Sequence, residues 1–199
     1  MKIFSKLCRG LYEPLLQKTS EKLYSSTNEI TEKFASRGFS IPPGAMYAEI
    51  GECYKENISP RAEIIFDSFC QAYKSSTPKP RAAEFSKELL EAIMKEQHGI
   101  LASGEAHFDQ FNAQFKIPAY QTLIERYKSE VMSEGRRLLK YYSSKADLFI
   151  GEATAELASR ISPHHWYQRP AGIIALAVIG TVLAALVVYL IRQNFGLAL

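Results

Sequence analysis

The side chains in this sequence that could take part in covalent or acid–base chemistry are three cysteines and four histidines. Cys53 or Cys70 beside His98 or His107 would make a thiol nucleophile with a general base. Neither cysteine lies in a recognisable catalytic motif, and a free cysteine is most often a small buried hydrophobic residue. We therefore expect that the protein is not an enzyme, with a cysteine-dependent hydrolase as the weakest alternative.

The spacings also predict no metal and no cofactor. The histidines lack the His-x3-His spacing of a helical metal site, and the adjacent pair His164 and His165 is interpreted as a polar collar before Trp166. Phosphate-binding and dinucleotide-binding glycine motifs are absent from the sequence. The only adjacent basic pair is Arg136 and Arg137, so no nucleic-acid partner is predicted.

The cysteines indicate a reducing compartment. Cys8, Cys53 and Cys70 are odd in number, and their spacing resembles neither a disulfide framework nor a zinc knuckle. We expect three free thiols.

The most informative pattern is an uncharged stretch over residues 171–191, with a valine-rich composition. A helix of this length spans about 31 Å, close to the thickness of a hydrocarbon core. Aromatic and basic residues flank it in the arrangement typical of a membrane interface, namely Trp166, Tyr167, Arg169, Tyr189 and Arg192. The pattern predicts a transmembrane helix and the lipid bilayer as a partner.

The position of this segment predicts a C-terminal anchor. Only residues 192–199 follow it, and basic residues are more numerous on its N-terminal side, which favours a cytoplasmic location for the preceding region. Small residues recur inside the span at Ala177, Gly180, Thr181, Ala184 and Ala185. Such faces allow close helix packing, and they favour a homo-oligomer.

The rest of the chain is predicted to be all-α. The chain has 199 residues, 47% of them hydrophobic, and a mean hydropathy of −0.13. Val131 is the only valine before residue 170, which argues against a buried sheet. This composition excludes a disordered chain, a collagen-like repeat and a disulfide scaffold. We expect a cytosolic domain of about six or seven helices, followed by the membrane helix.

The predicted organisation has six parts. They are a basic amphipathic helix (1–22), a helical domain (23–118) with a Pro/Ser loop at 75–80, a long helix (119–162), an interfacial linker (163–170), the transmembrane helix (171–191) and a short tail (192–199). Ser26 with Glu29 resembles a capping box, which predicts that a new helix begins there. The helix that carries Phe85 and Leu89 is predicted to end at His98 and Gly99, with a short helix after it. Apolar residues repeat about every 3.5 positions from Tyr120 to Leu157, which predicts the long helix.

The N-terminal helix has three interpretations. Its basic and apolar residues include Lys2, Phe4, Lys6, Leu7, Arg9 and Leu11. The first interpretation, which we favour, is a core helix whose basic face is solvated. The second is a helix that lies on an anionic membrane, and the third is a targeting peptide. The aromatic side chains are expected to form the core of the domain.

The functional hypothesis is a single-pass membrane protein whose cytosolic helical domain is an interaction or scaffolding module for an unknown protein partner. The alternative is a membrane-perturbing toxin or pore component that oligomerises through its transmembrane helix.

Overall fold

The structure is a computed structural model that describes residues 2–37, 43–116 and 119–161, together with 174, 177–179 and 181. Every regular element in the described ranges is an α-helix, which confirms the predicted all-α class. The helices are α1 (Lys2–Ser36), α2 (Pro43–Glu56), α3 (Ile58–Ser75), α4 (Ala82–Phe115) and α5 (Tyr120–Ile161). The chain divides into two compact units, Met1–Ile150 and Gly151–Leu199.

The described residues hold five helices, so the expected number of six or seven is wrong. Two predicted pairs are single helices. No break follows residue 22, because α1 continues through Ser26, which does not begin a helix. Gly99 lies inside α4 and does not end it. Both positions offered local stop or start signals that the packing of a long helix overrides.

Pro14 lies in the middle of α1 without ending it. A proline in a helix removes one hydrogen bond and crowds the carbonyl of the residue four positions before it. That residue is Gly10, which has no side chain, and both residues are exposed, so water can reach the freed carbonyl.

Helix α3 forms the centre of the first unit and packs against both α1 and α4. Phe85 of α4 is fully buried and lies at the middle of the aromatic core. Its ring centroid is 5.9 Å from that of Phe69, 5.4 Å from Tyr73 and 5.7 Å from Phe149. The expected aromatic core is therefore confirmed.

The predicted stripe of the long helix is confirmed along α5. Its buried members begin at Ile124 and recur every three or four residues through Tyr127, Val131, Gly135, Leu138, Tyr142 and Ala146. This face packs against the rest of the first unit, for example through Phe108 with Tyr127 at 4.9 Å and Phe66 with Tyr142 at 5.4 Å between ring centroids.

Two side-chain hydrogen bonds cross between α4 and α5 in opposite directions, and we call them the clasp. Gln97 of α4 donates from Nε2 to the carbonyl of Val131 at 3.3 Å, and Tyr127 of α5 donates from its hydroxyl to the carbonyl of Ile100 at 3.2 Å. A helical carbonyl points towards the residue four positions later, whose side chain would screen it from the side.

In both cases that later residue is a glycine, Gly135 after Val131 and Gly104 after Ile100. A Cβ atom at Gly135 would overlap the amide of Gln97, and one at Gly104 would overlap the hydroxyl of Tyr127. The absence of a side chain at these glycines is what lets each donor reach the opposite helix.

None of the helices in the described part of the chain has both the length and the hydropathy needed to cross a bilayer. Most of the predicted span, 171–191, lies outside the described residues.

Candidate interaction groove

A buried arginine links three helices of the first unit. Arg61 of α3 is 6% exposed, and its Nε donates to Glu96 of α4 at 2.6 Å. Its two terminal nitrogens donate to Thr19 Oγ1 at 2.9 Å and to Ser20 Oγ at 3.0 Å, both in α1. A buried guanidinium requires a carboxylate and further acceptors of this kind.

The two hydroxyl groups are oriented to accept these bonds. Thr19 and Ser20 both donate their own protons to the carbonyl of Leu16, at 2.7 and 3.0 Å. Their lone pairs are therefore left for Arg61, since a hydroxyl has one proton to donate and two acceptor sites. The result is a fixed polar connection between α1, α3 and α4.

Beside this connection lies a depression of about 400 Å³, which we call the α1–α4 groove. Its α1 wall carries Leu23, which is buried, and Tyr24, which is 70% exposed. Its α4 wall carries Gly99 and Ser103, and no atom lies within 4 Å of the place that a Cβ of Gly99 would occupy. An exposed tyrosine opposite an open glycine leaves room for a side chain or a helix from another molecule.

A second depression, of about 600 Å³, lies between the start of α1, the loop after α3 and the first turns of α4. Glu88 lines it, and one of its carboxylate oxygens is buried with no hydrogen-bond partner among the described residues. Burial, together with nearby Glu84 and Glu91, raises the pKa of Glu88 above its ordinary value.

Lys79 closes the end of α3 by donating to the carbonyls of Tyr73 and Lys74 at 2.5 and 2.6 Å.

The residues with nucleophilic potential are held in forms that are poorly reactive. The three cysteines are free thiols, as expected. Burial raises the pKa of Cys8 and of Cys70 to about 12, and that of Cys53 above its ordinary value. Since the thiolate is the reactive species, these shifts disfavour nucleophilic attack. Within the described ranges, no three His, Cys, Asp or Glu side chains are grouped closely enough to hold a metal ion.

His107 is a half-buried side chain of the core. Its Nδ1 lies 3.2 Å from the hydroxyl of Tyr54, and its ring centroid is 4.8 Å from that of Phe111. Burial lowers the pKa of His107, so the neutral imidazole is the form that suits this site.

The residues predicted for a membrane-surface helix are divided by the fold. Phe4 is buried, with its ring centroid 5.8 Å from that of Phe69, which confirms the core interpretation for this side chain. Leu11 is half-buried and Leu7 is 41% exposed. Lys6 and Arg9 are exposed, Arg9 with Glu13 at 3.5 Å, and the side chain of Lys2 lies outside the described residues.

The predicted interface residues Trp166, Tyr167, Arg169, Tyr189 and Arg192 lie outside the described residues, as do Gly180, Ala184 and Ala185. Ala177 and Thr181 are described as helical and exposed. Thr181 donates its hydroxyl proton to the carbonyl of Ala177 at 2.8 Å. Its proton is therefore used within its own helix, which weakens its suitability as a polar pore lining.

The groove was not anticipated from the sequence. Arg61 and Glu96 are separated by 35 positions, and Arg61 and Thr19 by 42, so no local motif contains them. The sequence would predict this site only if it were already known that α3 places Arg61 in the interior of the first unit. Tyr24 and Gly99 likewise become neighbours of one depression only through packing.

Comparisons with known proteins found no matching family model, no matching curated protein and no matching solved structure. The functional argument therefore depends on the chain's own residues.

Proposed function

We propose that this chain is a C-terminally anchored, single-pass membrane protein whose helical domain binds a protein partner at the cytoplasmic surface. The observation that carries the proposal is the α1–α4 groove, and the anchor is inferred from residues 171–191. Anchoring would raise the effective concentration of the domain near other components of the same membrane, without any added contact.

The groove has the properties of a site that accepts a side chain or a helix. Tyrosine is enriched among the residues that dominate binding energy, and Tyr24 is 70% exposed at its edge. Gly99 allows close approach because nothing occupies the space beside it. The Arg61 connection holds the walls in place, so a partner would meet a preorganised surface.

The proposed anchor is supported by its length and its flanks. Residues 171–191 carry no charge and are long enough to cross a hydrocarbon core of about 30 Å. We propose that Gly180 and Ala184 form part of a face through which copies associate. Replacing both with isoleucine should weaken oligomers in detergent, and unchanged association would refute this part of the proposal.

The groove is tested by site-specific photocrosslinking in native membranes. A photoreactive phenylalanine analogue at position 24 should form a discrete protein adduct, identified by mass spectrometry. The same group at Met94, which is 41% exposed on α4, is the matched control and should not form that adduct.

A second variant blocks the groove without altering the probe. Gly99→Trp should abolish the adduct at position 24, because the new side chain fills the open space. Gly151→Trp is its control, since Gly151 is also an open helical glycine but lies outside the groove lining. An adduct that survives Gly99→Trp would show that the groove is not the binding site.

The topology is tested by adding protease outside sealed vesicles whose cytoplasmic face is outward. The helical domain should be digested and a small C-terminal fragment protected. Protection of the whole chain would contradict the proposed orientation, and recovery of the intact chain in the soluble fraction would contradict the anchor.

A further inference from the structure

The middle of α5 carries a net positive charge. Residues 1–169 contain 23 basic and 21 acidic side chains, a net charge of +2. Residues 134–148 alone hold four basic and two acidic side chains, which is also a net +2. The remaining residues before 170 are therefore neutral on balance.

Two of these basic side chains are available to an external partner. Arg136 and Lys140 are exposed, and neither forms an ion pair within the part of the chain that the structure describes. Arg137 is exposed as well, although its Nε donates to Glu134 at 2.8 Å. Lys145 lies over the ring of Phe66, 4.5 Å from its centroid.

Exposed apolar side chains occur among these charges. Tyr141 is 52% exposed, and Leu148 is 69% exposed. They are seven positions apart, which places them on one side of a helix, two turns from each other. Ser144 lies between them on the same side and is exposed, so the polar side chain between them is a small one.

We propose that this basic face of α5, formed by Arg136, Arg137, Lys140, Tyr141, Lys145 and Leu148, binds anionic lipid headgroups. Lysine and arginine are attracted to anionic lipid, and tyrosine and leucine insert at the depth of the headgroups. Asp147 and Glu152 are also exposed on this side of α5 and, with Glu134, reduce its charge, so that four basic residues stand against three acidic ones.

Lipid is favoured over an acidic protein by the position of the helix in the chain. Helix α5 ends at Ile161, and the proposed membrane segment begins at residue 171. The nine residues between them reach at most about 32 Å when fully extended. This inference rests on the proposed membrane anchor, which would keep the C-terminal end of α5 within that distance of a headgroup layer.

The test is lysine footprinting of the full chain in lipid nanodiscs. Nanodiscs of phosphatidylcholine are compared with nanodiscs that also contain phosphatidylglycerol, and the acetylation rate of each lysine is measured by mass spectrometry. Lys140 should react at least threefold more slowly in the anionic nanodiscs, with Lys145 changing in the same direction. High salt should reverse the effect, because exposed charges are screened.

Lys95 is an internal control in the same sample, since it is exposed on α4 and outside the basic face. A matched pair of variants extends the control. Arg136→Glu with Leu148→Ser should remove the protection of Lys140, because each cation near the surface contributes about fivefold in binding. Lys87→Glu with Met94→Ser makes a corresponding charge reversal and apolar-to-polar change on α4, keeps Lys95 as the internal control, and should leave the protection of Lys140 intact.

Equal reactivity of Lys140 in the two kinds of nanodisc would overturn the inference and would favour an acidic protein as the partner of this face. A chain that does not enter nanodiscs would contradict the proposed anchor. The lipid inference is then decided by sedimentation with vesicles of the same two compositions. Binding to the anionic vesicles that the Arg136→Glu and Leu148→Ser variant loses would support it, and no binding would overturn it.

Discussion

The clasp between α4 and α5 predicts that alanine at Gly135 destabilises the protein, although alanine is the better helix former. A methyl group there would overlap the amide of Gln97, which is 4% exposed and donates to the carbonyl of Val131. The loss of this buried hydrogen bond costs about 1–3 kcal/mol, and the added atoms cost about as much again in displaced packing. Helix propensity returns about 1 kcal/mol. We expect the free energy of unfolding to fall by about 1–5 kcal/mol.

The measurement is urea unfolding of the full chain in mild detergent, followed by far-ultraviolet circular dichroism. Gly99→Ala is the matched control, because Gly99 is also a helical glycine but has open space beside it. It should increase the free energy of unfolding by about 0.5–1 kcal/mol, through propensity alone. The same chemical change is therefore expected to have opposite signs at the two positions.

A double variant separates the clasp from a general intolerance to substitution. Gln97→Ala removes the side chain that the new methyl group would overlap. The loss in the double variant Gly135→Ala and Gln97→Ala should fall short of the sum of the two single losses by more than about 1 kcal/mol. Strict additivity, or a stabilising Gly135→Ala, would refute the clasp.

Three further predictions concern buried polar groups. The Tyr47 hydroxyl is buried with no hydrogen-bond partner among the described residues, so Tyr47→Phe should stabilise the protein by about 1 kcal/mol, measured by thermal unfolding. The Tyr54 hydroxyl does have a partner, His107, so a gain of the same size in Tyr54→Phe would contradict the argument. Burial lowers the pKa of His107 in the folded state, so acid should protonate the unfolded state first. Stability is then full above the ordinary histidine pKa and declines as the pH falls below it, and His107→Gln should flatten this decline in urea titrations at several pH values. Arg61→Met should lower the free energy of unfolding by about 3 kcal/mol, because Glu96 loses its cation. Adding Glu96→Leu should recover most of this loss. Equal losses in the single and the double variant would show that the ion pair is not the cause.

The helical class and the long C-terminal helix of the domain were predictable because their signal is periodic. The buried positions of α5 recur every three or four residues, and each of them contributes to the same pattern. The presence of only one valine before residue 170, Val131, correctly argued against a sheet, because an aromatic core in helices does not need β-branched residues.

The breaks that were predicted within α1 and α4 are absent for a physical reason. Ser26 and Gly99 are residues that favour helix ends, but their cost inside a helix is at most about 1 kcal/mol each. Tertiary packing along a helix of 34 or 35 residues outweighs such a cost. Local signals are therefore less reliable than the pattern of burial.

The candidate groove and the clasp could not be predicted, because both depend on residues that meet only in the fold. Arg61 must lie inward before its partners in α1 and α4 can be recognised. Gly135 resembles a possible helix breaker in the sequence, and only its position opposite Gln97 explains why a side chain is excluded there.

The opposite directions of the two clasp bonds restrict how the helices can move. A displacement of α5 along α4 by one turn, about 5.4 Å, would carry Gln97 and Tyr127 away from their acceptor carbonyls and place each donor against a residue other than glycine. Both clasp bonds therefore oppose sliding of α5 along α4. The α1 and α4 walls of the groove are joined by the Arg61 connection and, nearer the start of both helices, by the contact of Phe4 with Phe85, so a partner that enters there would meet walls of fixed spacing and would bind without moving these helices apart.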